Sequence, residues 1–164
     1  MSLGVHFALS ERDLETLAAF DAPEERQEFL EEHIEERYLG SGDHWAYQSD
    51  KAWDAIDRCL APRSAPRAQA GALSLAVLGG SELELDDEYV ARLVEIPQVI
   101  EVERALKEVT RATLRARYDQ LAGTDYAGTV GDADFDYTWK HFEGMRRFFA
   151  RAATARRAVL FTAS

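Results

Sequence analysis

Hydrophobic and polar positions alternate with a period of two at the start of the chain. In "LGVHFAL", Leu3, Val5, Phe7 and Leu9 fall on one face and Gly4, His6 and Ala8 on the other, which predicts a strand. The period then lengthens. Ser10 offers an N-cap to "ERDLETLAAF", where Leu14, Leu17 and Ala18 recur at helical spacing. "APEERQEFLEEHIEERYLG" opens with Pro23 in a first turn and stops at Gly40, and Leu30, Ile34 and Tyr38 repeat every four residues. That predicts an amphipathic helix whose outer face carries Glu24, Glu25, Glu28, Glu31, Glu32, Glu35 and Glu36.

In "SDKAWDAIDRCL", Ser49 or Asp50 can cap a helix that turns Trp53, Ile56 and Leu60 toward the core. "APRSAPRAQAGA" has no periodicity and reads as an exposed, mobile loop over 61–72. "LSLAVLGG" reads as a buried strand, or a short helix entering one, closed by Gly79 and Gly80. "DDEYVARLVEI" places Val90, Leu93 and Val94 at the spacing of a short helix. Pro97 opens a long helix or helix pair to residue 118, whose seam of Val99, Val102, Leu106 and Val109 passes to Leu114. Near the end, Trp139, Phe142, Met145, Phe149 and Ala152 form a helical stripe and "AVLFT" a terminal strand. The elements do not alternate strictly as in a doubly wound fold. They predict an α+β class, a small mixed sheet covered by several helices in a single domain over 1–164.

Composition supports a globular chain. The sequence has 164 residues, 46% apolar and 30% charged, enough to bury a sizeable core. The lone cysteine, Cys59, excludes an internal disulfide and fits a reducing cytoplasm. No basic n-region opens the sequence and no run reaches a membrane span, so neither export signal nor membrane anchor is expected.

Charge changes the picture by region. Residues 1–60 hold 15 acidic and 5 basic side chains, whereas residues 137–164 hold 1 and 6, within a total of −11. The overall balance disfavours nucleic acid and anionic lipid as partners and favours a cationic one. Arg146, Arg147, Arg151, Arg156 and Arg157 make the C-terminal end basic, and the expectation is that they pair with the acidic helices within the molecule.

Three items keep a fixed order along the chain: "DKAW" at 50–53, "VLGG" at 77–80 and "ARYD" at 116–119. With the ending "FFARAATARRAVLFTAS", they give a sequence that resembles the YfbM-like family of small bacterial proteins, a domain family of unknown function. The resemblance spans nearly the whole chain. It implies a compact α+β domain, cytoplasmic in bacteria, and carries no established reaction. This chain departs from the family pattern before "DKAW", where it reads "YQS", and after the glycine pair, where it reads "SELELDDEYV".

Candidate chemistry is sparse. Asp43, His44, Trp45 and Tyr47 precede the helix at Asp50 and are not needed for capping, and a histidine beside a carboxylate suits a general base. Asp132, Asp134, Asp136 and Glu143 have the carboxylate spacing of a calcium loop, but Tyr137 stands where that loop requires glycine. No metal site is therefore assigned. The dinucleotide and Walker fingerprints, G-x-S-x-G and H-E-x-x-H are all missing, so no cofactor is assigned either. Two readings follow. One is a non-catalytic acidic module, inhibitor- or immunity-like, that engages a basic protein through Glu28, Glu32 and Glu35. The other is a small-ligand binder or enzyme with a site at Asp43, His44, Trp45, Tyr47 and Asp50. Whether the chain is an enzyme, and its oligomeric state, are not written in these patterns.

Overall fold

The computed structural model describes residues 2–40, 42, 44–85 and 89–164. Strand β1 (Gly4–Leu9) leads into helix α1 (Glu11–Ala19), capped by Ser10 Oγ, which accepts from the Asp13 amide at 3.2 Å. Helix α2 (Pro23–Phe29), a π-helical stretch (Leu30–Glu35) and α3 (Glu36–Gly40) form one continuous segment. Then come β2 (Ala46–Asp50), α4 (Ala52–Leu60), 3₁₀ turns (Arg67–Leu75) that bend at Gly71, and β3 (Ser81–Glu82). Strand β4 (Val90–Val94), α5 (Ile96–Lys107), α6 (Arg111–Asp119), α7 (Asp132–Thr154) and β5 (Ala158–Ala163) complete the order.

The strands form one sheet in the order β2-β1-β5-β4-β3. The α+β class is as expected. Each helical excursion returns the chain beside its neighbour in the opposite direction, so the sheet expected to be mixed is antiparallel at all four described pairings.

Both faces of the sheet are covered, and strand alternation decides what each face receives. Phe7, Leu9, Ala91 and Leu160 pack against Leu17, Leu30, Ile34 and Tyr38 of the N-terminal helices. Ala8, Val94, Val159 and Phe161 join Ile56, Val102, Leu106, Phe142 and Phe149 on the other face. The second face of β1 is thus core as well. Gly4 is small there because a Cβ would lie 2.6 Å from Trp53 Cδ1. His6 is fully buried among the rings of Phe148, Phe149 and Phe161.

Several sequence expectations need correction. Val90–Val94 is a strand rather than a short helix: paired to β5, it sends Val90 and Val94 to one covered face and Ala91 and Leu93 to the other. Apolar side chains on both faces erase the period of two. "LSLAVLGG" is no strand but the end of the 3₁₀ segment and a turn. Ser49 and Asp50 do not cap α4. Ser49 lies in β2 and donates its hydroxyl to the Gly4 carbonyl at 3.2 Å, while the residue preceding α4 is Lys51, without a side-chain cap. Trp53 is half-buried, with its indole N–H on the Ser2 carbonyl at 3.0 Å, whereas Ile56 and Leu60 are buried as expected. The region 97–118 is a helix pair broken before Thr110, whose hydroxyl accepts from the Thr113 amide, and Leu114 is buried.

Candidate functional site

The seam between edge strand β2 and helix α7 holds most of the chemistry. The strand runs antiparallel to the helix: His44 meets Arg151, Tyr47 meets His141 and Asp50 meets Tyr137. The Tyr47 hydroxyl and His141 Nδ1 are 3.0 Å apart, and the Tyr137 hydroxyl donates to Asp50 Oδ2 at 2.7 Å while accepting from the Lys51 amide at 3.3 Å. The ring centroids of Tyr137 and His141 are 4.7 Å apart, edge to face. Burial lowers the His141 pKa against the opposing field of Asp50, so its imidazole is neutral at pH 7. Burial, reinforced by the bond to Asp50, pushes the Tyr137 hydroxyl up to about 12. His141 is half-buried, and its Nε2 makes no hydrogen bond among the described residues.

Asp50 adopts φ 51°, a left-handed conformation costly for a residue with a Cβ. From the sheet edge it also borders a pocket of about 250 Å³, shared with Leu3, Glu35, Leu39, Gln48 and Thr162. Glu35 is held there by the Tyr89 hydroxyl, which donates to its Oε1; burial first and this bond second raise the Tyr89 pKa. Each carboxylate is therefore fixed through one oxygen by a tyrosine. Asp50 Oδ1 and Glu35 Oε2 accept no hydrogen bond among the described residues. Leu3 and Leu39, 51% and 38% exposed, are the large apolar side chains most open to solvent among those residues, and both border this pocket.

The sequence-predicted site residues do not form one group. Asp43 lies outside the described residues. His44 is exposed, and its carbonyl accepts from Arg151 Nε at 3.2 Å. Trp45 is half-buried beneath the Arg157 guanidinium, 3.9 Å from the ring centroid. Tyr47 and Asp50 belong to the seam, three residues apart along the strand. The predicted glutamate face is split as well. Glu28 and Glu32 border a separate pocket of about 320 Å³ with Phe20, Phe29 and His33, whereas Glu35 turns to Tyr89. The π-helical stretch intervenes between Phe29 and Glu36 and shifts the register that an α-helical reading assumes.

His141, Tyr137 and Tyr89 were not singled out from sequence. The spacing of Tyr137 and His141 by four on one helix was the available signal. The acidic run at the start of α7 is occupied: Asp132 and Asp136 pair with Arg115 and Arg111, and Asp134 accepts from Tyr118 and Tyr126 at 2.5 and 2.9 Å. Burial pushes the Cys59 thiol up to about 12, so it is no nucleophile. Intramolecular neutralisation of the C-terminal arginines is not what the described residues show. Among them only Arg146 of the five forms an ion pair, with Glu143 of its own helix at 3.8 Å.

Comparison with known proteins places these features in a family context. The family described as a domain of unknown function, DUF1877, matches residues 1–162. The fold is similar to that in the crystal structure of a protein of unknown function, YfbM from Escherichia coli, with a TM-score of 0.69, 18% identity and 99% of each chain covered. No curated protein matches the chain. No helix of the described residues is long and apolar enough to cross a membrane.

Proposed function

The chain belongs to the DUF1877 family, a domain of unknown function, and on that premise we propose that it is a non-catalytic binding module whose pocket receives a lysine or arginine side chain of a basic protein. One observation carries this reading. Leu3 and Leu39 border the same pocket as the tyrosine-held carboxylates of Glu35 and Asp50. A lysine or arginine side chain has an apolar stem and a charged head, and such a pocket offers a surface to each. Both carboxylates are oriented before the partner arrives, which lowers the ordering cost of binding. Glu28 and Glu32, on the neighbouring pocket, add long-range attraction for a basic partner. An inhibitor- or immunity-like role toward a basic protein has this chemistry, and a cytoplasmic setting agrees with the buried, unreactive Cys59.

The test is calorimetric titration with a tetralysine peptide and its fully acetylated counterpart. Binding of the first and not the second, weakened about tenfold or more in Glu35→Gln with Asp50→Asn, is the expected result. Equal affinity of parent and double variant removes the pocket from the reading.

A second reading is favoured by His141, whose Nε2 makes no hydrogen bond among the described residues and whose ring is oriented through Nδ1 by Tyr47. A neutral imidazole so held can accept a proton from a bound small molecule. If a metabolite panel perturbs the His141 ring signals in NMR and leaves Glu35 and Asp50 unaffected, this reading replaces the first.

A further inference from the structure

At the opposite end of the β2–α7 seam the sign of the charge reverses. Arg151 and Arg157 flank the dipeptide His44–Trp45. Arg151 is held by its Nε on the His44 carbonyl at 3.2 Å, with its guanidinium carbon 5.9 Å from the Phe148 ring centroid. Arg157 is held by one terminal nitrogen on the Ala8 carbonyl at 3.2 Å and by stacking 3.9 Å over Trp45. Trp45 and Ala8 are themselves joined, because the Ala8 amide donates to the Trp45 carbonyl at 2.8 Å. Both guanidinium groups are thus fixed by one part of their donor set, while their other N–H groups make no hydrogen bond among the described residues. Arg147, one turn before Arg151, is exposed, and its charge lies near enough to the Tyr47 hydroxyl to oppose the rise in that group's pKa.

The backbone supplies an independent sign. Helix α7 ends with the Arg157 amide on the Ala152 carbonyl at 2.9 Å and the Arg156 amide on the Ala153 carbonyl at 3.1 Å, the closing pattern that places a left-handed residue between helix and strand. Glycine ordinarily fills that position; here it is Arg156, at φ 54°. Among the described residues the only other non-glycine at positive φ is Asp50, at the far end of the same seam. A helix stop made with arginine in place of glycine carries backbone strain, and strain of this kind collects at binding sites.

From this geometry we propose that Arg147, Arg151 and Arg157 around His44–Trp45 form a binding site for a phosphate group. A phosphate dianion presents three terminal oxygens to planar N–H forks, and guanidinium groups match it in shape and charge. The total charge of −11 does not preclude this. Salt screens fields beyond roughly 8 Å, so the ligand senses the local arginines more than the glutamate helix on the other face of the sheet.

The experiment is an NMR titration of the full chain, following the Trp45 indole N–H and the Nε–H signals of Arg151 and Arg157. The probe is inorganic phosphate, with sodium chloride at matched ionic strength as the control. Saturable shifts with phosphate alone are expected, and Arg147→Gln and Arg151→Gln should each weaken binding roughly tenfold. These two positions are chosen because Arg157 also ties β5 to β1, and its loss risks the fold. Their amide spectra report whether each variant remains folded. Shifts that grow linearly and equally with chloride, or saturable shifts untouched by both folded variants, overturn the proposal.

Discussion

The Tyr137 hydroxyl reaches across the edge of the sheet to Asp50 Oδ2 at 2.7 Å, and Asp50 holds φ 51° at that point. The bond joins α7 to the last residue of β2 and offsets a conformation that a side-chain-bearing residue adopts only at a cost of about 1–2 kcal/mol. Asp50→Ala loses the bond and keeps the strain, whereas Asp50→Gly loses the bond and relieves it. Asp50→Gly should therefore be the more stable of the two by about 1 kcal/mol in urea unfolding, and Tyr137→Phe should cost about 1 kcal/mol. Equal midpoints for the alanine and glycine variants would show that the backbone there is unstrained.

Gly144 provides a second test of the seam. A Cβ on this helical glycine would lie 2.1 Å from the Tyr47 hydroxyl oxygen and 2.3 Å from Cζ. Replacing an interior helical glycine by alanine ordinarily gains up to about 1 kcal/mol. Here Gly144→Ala must displace the Tyr47 ring from its bond with His141, so it should destabilise the parent protein. The same change in a Tyr47→Ala background should stabilise. A double-mutant cycle reads the coupling, and a Gly144→Ala effect of the same sign in both backgrounds would sink this explanation.

These seam contacts mark where sequence reading stopped. Helix α7 was legible because the stripe from Trp139 to Ala152 has one period, and β5, buried on both faces, was legible from the strand-favouring composition of "AVLFT". Ser10 was legible as a cap because capping is local. Val90–Val94 was not, because burial on both faces removed its alternation, and β2 was not, because its pairing to β1 joins residues 39 to 46 positions apart, with the Ser49–Gly4 bond among them. The candidate site suffered in the same way. Asp50 was visible, but its tyrosine partner stands 87 positions away, and the Glu35–Tyr89 pair spans 54.

The segment 61–72, expected to be mobile, is tied to α4 by two arginines, Arg63 with Asp54 and Asp57 at 3.8 and 3.9 Å and, more closely, Arg67. Arg67 grips Asp57 through two nitrogens at 2.9 and 2.8 Å, and Asp57 Oδ1 also accepts from the Leu78 amide at 3.3 Å. Asp57 is 1% exposed, whereas the Arg67 side chain is a third exposed, so losing the carboxylate leaves a partly solvated guanidinium and the Leu78 amide without their acceptor. Asp57→Ala should cost about 2 kcal/mol and accelerate amide exchange from Arg67 to Leu78 well above that elsewhere in the protein. Unchanged exchange in that segment would show that the anchor does not restrain it.

His6 should make the fold sensitive to mild acid. Its ring is fully buried, Nε2 lies 2.7 Å from the Ala76 carbonyl and Nδ1 has no partner, which assigns the proton of the neutral ring to Nε2. Burial lowers its pKa from 6.5 to about 4, with the Ala76 bond opposing. The unfolded chain binds this proton first as pH falls, so the His6 contribution is fully present above pH 6.5 and is lost down to about pH 4. The slope approaches 1.4 kcal/mol per pH unit, for a loss of about 2 kcal/mol between pH 6.5 and 5. His141, also lowered by burial, adds in the same direction. His6→Phe places a ring of similar size among Phe148, Phe149 and Phe161 and leaves the Ala76 carbonyl unpaired, so it should be less stable at pH 7 by about 1–2 kcal/mol. Its unfolding free energy should nevertheless fall much less between pH 6.5 and 5 than that of the parent. Urea curves at half-unit pH steps decide the point, and parallel profiles for the two proteins would assign the acid sensitivity to other groups.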